Sequence, residues 1–107
     1  GRESDPERFL GRVRQEYLSV LKKEKWPEGF AVPIRHITRR MGKNIKGFRT
    51  DEFLIDLSRL VDQGPHVIDG YRLDLQHTKD TSQGMLLHGP SGRGYIGFIT
   101  FRRAENG

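Results

Sequence analysis

The change in apolar spacing at Gly64-Pro65 constrains the fold of this chain more than any other feature of its sequence. Before this dipeptide, apolar residues recur every three or four positions, which is the spacing of one face of an amphipathic helix. After it, apolar and polar residues alternate, which is the pattern of a half-buried β-strand. We therefore expect helices followed by antiparallel strands, which is the α+β class.

Three helices are predicted before this change. Asp5 is suited to the N-cap of the first helix and Pro6 to its first position, while Thr50 is suited to the N-cap of the third. Gly42 is expected to end the second helix, and Lys43–Arg49 is expected to form a turn. The predicted buried faces consist of Phe9, Val13, Tyr17, Val20 and Leu21; of Ile34, Ile37 and Met41; and of Phe53, Leu54, Leu57, Leu60 and Val61.

The remainder of the chain predicts a β-hairpin or a small antiparallel sheet. A strand with a kink at Asp69-Gly70 is followed by a polar loop over residues 76–84 and a short strand over residues 85–88. Residues 89–94 read as a glycine-rich turn. Tyr95–Phe101 is the strongest strand signal, and apolar groups on both of its faces indicate a central or covered strand. We expect one domain over residues 5–103, with flexible ends at residues 1–4 and 104–107.

This order of elements resembles the winged-helix superfamily, in which three short helices precede a two- or three-stranded wing. Within it, Lys46–Leu54 and Pro65–Ile68 are similar to the LOTUS (OST-HTH) domains of germline RNA regulators, which carry a glycine-aromatic step before a helix. The hairpin after Tyr71 is longer than the compact pattern of those domains. The resemblance implies a winged-helix fold and a role in RNA binding.

Composition narrows the function classes. The 107 residues contain no cysteine, which excludes disulfides and thiolate zinc sites, and no stretch approaches the roughly 20 apolar residues of a membrane span. The net charge of +5 favours an anionic partner. We expect an intracellular protein, cytoplasmic or nuclear, without a membrane partner.

Two segments without carboxylates carry the candidate binding residues. The first lies between Glu28 and Asp51, and the second runs from Gln83 to Ala104. Like charges without counter-charges repel one another, so phosphate is one explanation of the first cluster and a solvated surface is the other. The second cluster would lie in the wing, or in a hairpin turn without a ligand. The nucleic-acid-binding candidates are Arg35, Arg39, Arg40, Lys43, Lys46 and Arg49 in the first segment, and Arg93, Arg102 and Arg103 in the second.

The run from Arg93 to Phe101 is similar to the RNP1 strand of RNA-recognition motifs, whose aromatic side chains stack on bases. Ile96 is an extra residue that displaces Tyr95 and Phe98 from the RNP1 phase. We therefore favour a core strand for this run.

No enzyme signature is present. Residues 89–94 lack the Gly-Lys-Ser/Thr ending of a P-loop, and the four histidines lack metal-ligand spacing. We predict a nucleic-acid-binding domain without catalytic residues, metal or small-molecule cofactor, with RNA favoured slightly over DNA. The alternative is a winged-helix module for protein interaction, which an exposed apolar patch near Trp26, Phe30 or Met85–Leu87 would favour.

Overall fold

The computed structural model describes residues 5–105 and divides them into three helices and five strands. The helices are α1 (Pro6–Glu24), α2 (Ile34–Asn44) and α3 (Thr50–Gln63). The strands are β1 (Val32–Pro33), β2 (Val67–Ile68), β3 (Tyr71–Thr78), β4 (Met85–Leu86) and β5 (Tyr95–Arg103), and a 3₁₀ turn spans Gly89–Ser91. The predicted α+β class, with three helices and a small antiparallel sheet, is confirmed. Both ends were expected to be flexible, and residues 1–4, 106 and 107 lie outside the described residues. In the described part of the second end, the amide of Ala104 donates a hydrogen bond to the carbonyl of Gly70.

The start of α1 follows the sequence closely. The Asp5 carboxylate accepts a hydrogen bond from the amide of Arg8 at 3.1 Å, and Pro6 opens the helix. This bond satisfies one of the amides that the first turn of a helix leaves without a helical partner. The predicted N-cap is confirmed. The helix ends at Glu24, where Lys25 adopts a left-handed conformation with φ of 59°.

Two predicted helix boundaries are wrong. Helix α2 continues through Gly42 to Asn44, so the turn that follows it is shorter than expected. Buried Met41 and the contact of the Asn44 side chain with α1 hold this last turn in place despite the glycine. Thr50 is the first residue of α3 rather than its N-cap, and Arg49 occupies the cap position.

The sheet is built around β5, and its order is β1-β5-β3-β2. Strand β3 pairs with one edge of β5, while β1 and β4 share the other edge. The prediction of a central or covered last strand is therefore confirmed. Strand β3 also extends to Thr78, two residues beyond the start of the predicted loop, because β5 is long enough to pair with it.

Asp69-Gly70 forms a tight hairpin turn between β2 and β3, and the prediction of a kinked single strand is wrong. Val67 pairs with Arg72 and Ile68 with Tyr71. Both turn residues have positive φ, 53° at Asp69 and 81° at Gly70. This combination is typical of the type I′ turn, in which Asp-Gly is a preferred sequence.

Gly97 produces a bulge in β5. Gln76 pairs with Phe98 and His77 with Ile96, so Gly97 has no partner residue on β3. A Cβ atom at Gly97 would lie 2.7 Å from Cβ of Thr78. The close approach of the two strands therefore requires glycine at this position.

The core lies between the helices and one face of the sheet, and all three predicted helix faces contribute to it. Phe101 is 1% exposed, and its ring centroid lies 5.2 Å from that of Tyr17. Ile96 and Ile99 are buried as well, so Tyr95–Phe101 is the core strand that the sequence favoured. Val61, predicted to be buried, is exposed because it lies at the end of α3.

Candidate nucleic-acid interface

Arg35 connects α2 to the loop between β3 and β4. Its guanidinium donates from Nε to the carbonyl of Gln83 at 3.0 Å and from Nη2 to the carbonyl of Gly84 at 2.9 Å. The side chain is half-buried. Two donors of this candidate binding residue are therefore engaged within the protein.

Arg40 is also engaged within the protein. Its Nε lies 3.2 Å from Oε2 of Glu16 on α1, and the Asn44 amide donates to the same carboxylate at 3.3–3.4 Å. The Glu16 side chain is 8% exposed and that of Arg40 is 30% exposed. Burial of a carboxylate is costly unless it is paired and hydrogen-bonded, so Arg40 and Asn44 hold α2 against α1.

Three of the predicted cations on α2 and the turn after it are both exposed and without a partner among the described residues. Arg39 and Lys43 are four residues apart on one helix face, and Lys46 follows in the turn. Within residues 5–105, none of their side chains has a hydrogen-bond or ion-pair partner. These three side chains are available to an anionic ligand.

Arg49 forms an exposed ion pair with Asp51. Its Nε and Nη2 atoms lie 3.2 Å and 3.1 Å from the two carboxylate oxygens, and the side chains are 66% and 61% exposed. The hydrogen bond to Arg49 holds the pKa of Asp51 below its usual value, and the same contact raises the pKa of Arg49. An ion pair this open to water contributes little to stability, so Arg49 can exchange Asp51 for another anion.

A cavity of about 370 Å³ adjoins Lys46. It lies between the first half of α1, the turn after α2 and the start of α3. Its cations are Arg8, Arg12, Lys46 and Arg49, its carboxylates are Asp5, Glu52 and Asp56, and its apolar wall includes Phe9, Phe48 and Phe53.

Arg8 and Arg12 are absent from the predicted site because they precede the acid-free segment. Their spacing of four residues on the polar side of α1 was the available signal. Only the packing of α1 beside the turn after α2 brings them to the same cavity as Lys46.

The three predicted wing cations do not form one patch with one another, because they lie at opposite ends of β5. Arg102 pairs with Asp74 at 3.2 Å, and Arg103 lies 5.8 Å from the centroid of the Tyr71 ring. Arg93 is exposed in the loop before β5, at the other end of the strand. At roughly 3.3 Å per residue, β5 separates its two ends by about 26 Å.

The exposed apolar patch that would favour protein interaction is only partly present. Met85 and Leu87 are buried, while Leu86 is exposed. Half-buried Trp26 stacks on exposed Phe30, with ring centroids 4.4 Å apart.

In the part of the chain that the structure describes, no cluster of histidine, aspartate and glutamate could hold a metal ion. No described helix is long and apolar enough to cross a membrane. Comparisons of the chain with protein-family models, curated proteins and solved structures found no match.

Proposed function

We propose that this protein is a winged-helix-like domain that binds nucleic acid, with RNA favoured over DNA. The binding surface consists of Arg39, Lys43 and Lys46, together with Arg8 and Arg12 across the adjoining cavity; we name it the basic α2 surface. The observation that carries the proposal is the set of exposed cations on α2 and its turn that lack a carboxylate partner among the described residues.

Phosphate is the anion that this arrangement suits. Exposed cations four residues apart on one helix repel one another, and a polyanion removes this repulsion while releasing its own counterions. Arg39 and Lys43 have this spacing. The net charge of +5 acts in the same direction by attracting polyanions over a longer range.

Recognition of the backbone is favoured over the reading of base pairs. Asn and Gln are the side chains that read adenine in the major groove. Asn44, the one such residue on α2, is bonded to Glu16 and holds α1 in place. The surface is left with cations, which position phosphates but carry no sequence information.

The cavity beside Lys46 supports a single-stranded nucleic acid as the ligand. Half-buried Phe48 lies in its wall, next to Lys46 and Arg49. Unpaired RNA bases stack on aromatic side chains while their phosphates contact neighbouring cations. A duplex has no free base to insert.

The test is binding of fluorescein-labelled single-stranded RNA, duplex RNA, single-stranded DNA and duplex DNA, followed by anisotropy at several salt concentrations. We expect the tightest binding to single-stranded RNA and a linear fall of log affinity with log salt. Replacing Lys43 and Lys46 with Glu removes two phosphate contacts, so the slope should decrease by roughly 1.4. The control with the same charge change is Arg59→Glu with Lys79→Glu, because both residues are exposed and lie outside the cavity beside Lys46. Equal loss in the two variants would show that only net charge matters and would refute the surface.

A further inference from the structure

One edge of β3 is open over most of its length. The strand pairs with β5 from Tyr71 to Thr78, but β2 covers its other edge only at Tyr71 and Arg72. The amide of Leu73 donates to the carbonyl of His66 at 2.8 Å, just beyond β2. From residue 74 to residue 78, no described strand pairs with this edge. Main-chain groups on such an edge are free to pair with another chain.

The hydrogen bond between Leu73 and His66 shows in which direction the unpaired main-chain groups of β3 point. Because the Leu73 amide points towards His66, it points away from β5. Main-chain groups of alternate residues in a strand share one direction, so those of Leu75 and His77 also point away from β5. They form a short ladder without a partner strand.

An apolar groove of about 470 Å³ adjoins this edge. The side chains of Leu73 and Leu75 from β3, Leu87 and Ile96 make its apolar surface. Val61 at the end of α3 and Pro90 in the 3₁₀ turn also line it. The remaining lining residues are His66, Arg72, His77 and Arg93, and none of the lining residues is a carboxylate.

Arg72 carries a charge that the described part of the fold does not neutralise. It lies directly opposite Arg102 on β5, and like charges in this position repel one another. Asp74 pairs with Arg102, which leaves Arg72 without an ion-pair partner within residues 5–105. The side chain of Arg93 likewise has none there.

From these observations we propose that the groove binds an extended acidic peptide segment of a partner protein. The segment adds to β3 as an antiparallel or parallel strand and pairs with the main chain of Leu75 and His77. An apolar side chain of the segment occupies the groove over Leu73 and Leu75, and its carboxylates meet Arg72 and Arg93. This is the strand-addition mode of peptide recognition, in which the main chain supplies affinity and alternate side chains supply specificity.

A peptide fits this edge better than a nucleic acid does. The open ladder presents N–H donors and C=O acceptors in alternation, and only another peptide main chain complements both. A phosphodiester backbone offers acceptors alone and would leave the carbonyls without partners. Moreover, none of the residues that line the groove belongs to the basic α2 surface.

The experiment uses an acetylated nine-residue peptide in which glutamate alternates with leucine, added to the ¹⁵N-labelled full chain. We expect chemical-shift changes at the amides of Leu75 and His77, and slower hydrogen exchange at both in the bound state. Two further peptides carry main-chain N-methyl groups, either on the residues that face β3 or on the alternate residues that face solvent. The set of N-methyl groups on the residues that face β3 should weaken binding at least tenfold, and the set on the residues that face solvent should have little effect. Equal effects of the two sets, or no binding at millimolar peptide, would overturn the proposal.

Protein variants separate this site from the basic α2 surface. Arg72→Glu with Arg93→Glu should weaken peptide binding at least tenfold and leave RNA binding within about twofold. The matched control, Arg59→Glu with Lys22→Glu, should leave peptide binding intact, because both residues are exposed and lie outside the groove. Both residues of the test pair are exposed, and circular dichroism will verify that the variants fold. If the test pair abolishes RNA binding and spares the peptide, the groove is part of the nucleic-acid surface and the peptide site is refuted.

Discussion

Replacing Arg40 with alanine tests whether this residue supports the fold rather than binding a ligand. The substitution leaves the carboxylate of Glu16, which is 8% exposed, with only the Asn44 amide at 3.3–3.4 Å as a donor. Removing one partner of a fully buried ion pair costs about 3–5 kcal/mol. Arg40 itself is 30% exposed, so water can reach part of the vacated site and the cost is smaller. We expect a loss of about 2–3 kcal/mol in the free energy of unfolding.

Urea unfolding followed by circular dichroism measures this loss directly. In a domain of this size each kcal/mol lowers Tm by roughly 4–8 °C, so the variant should melt about 10–20 °C below the wild type. The control is Lys43→Ala, one helical turn away, which has no partner in the described structure and should change stability by less than about 0.5 kcal/mol.

A double variant tests the same ion pair independently. Glu16→Met combined with Arg40→Met replaces the buried ion pair with apolar side chains of similar volume, which is often close to neutral for stability. The double variant should therefore recover at least half of the loss seen with Arg40→Ala. If Arg40→Ala and Lys43→Ala unfold at the same urea concentration, the ion pair does not hold α2 against α1. Arg40 would then be available to an anionic ligand.

Two further predictions concern the bulge and the exposed ion pair. Gly97→Ala places a Cβ atom 2.7 Å from Cβ of Thr78, so it should lower the free energy of unfolding in urea by about 1–3 kcal/mol. The control is Gly42→Ala inside α2, whose new Cβ lies 3.7 Å from the nearest atom and which should be neutral or stabilising. Equal effects of the two substitutions would show that the strands can separate without cost. The hydrogen bond to Arg49 lowers the pKa of Asp51 in the folded state, so its stabilising effect is present above the unfolded pKa and is lost as pH falls through the folded pKa. The pKa of Asp51, measured by NMR titration of its carboxyl group, should therefore rise in Arg49→Ala, and an unchanged pKa would contradict the contact.

The helices and the central strand were predictable because their signals are local. Apolar spacing marks the faces of α1 and α3, and Asp5 caps α1 as its side chain and position predict. Helix boundaries were less predictable where tertiary contacts outweigh the helix propensity of the local residues. Helix α2 continues past Gly42 because Met41 is buried in the core and Asn44 reaches Glu16 on another helix.

The free cations of the candidate site could not be separated from the structural ones by sequence. Arg35, Arg39, Arg40 and Lys43 have the same chemistry and lie in one acid-free segment. What distinguishes them is contact with residues that are distant in sequence: 24 positions for Arg40 with Glu16, and 48 and 49 for Arg35 with the two carbonyls. No local pattern records such contacts.

Residue types and their spacing within a few positions were enough to predict the α+β class, the three helices, the long last strand and the excess of positive charge. Contacts between distant parts of the chain settle which cations remain free, which α1 arginines lie beside them, and which edge of the sheet stays open. The physical reason is that a charge is neutralised, and a strand edge is covered, by whatever the fold places beside it. For Arg40 that neighbour is Glu16, while the edge of β3 beyond residue 73 has no described strand beside it.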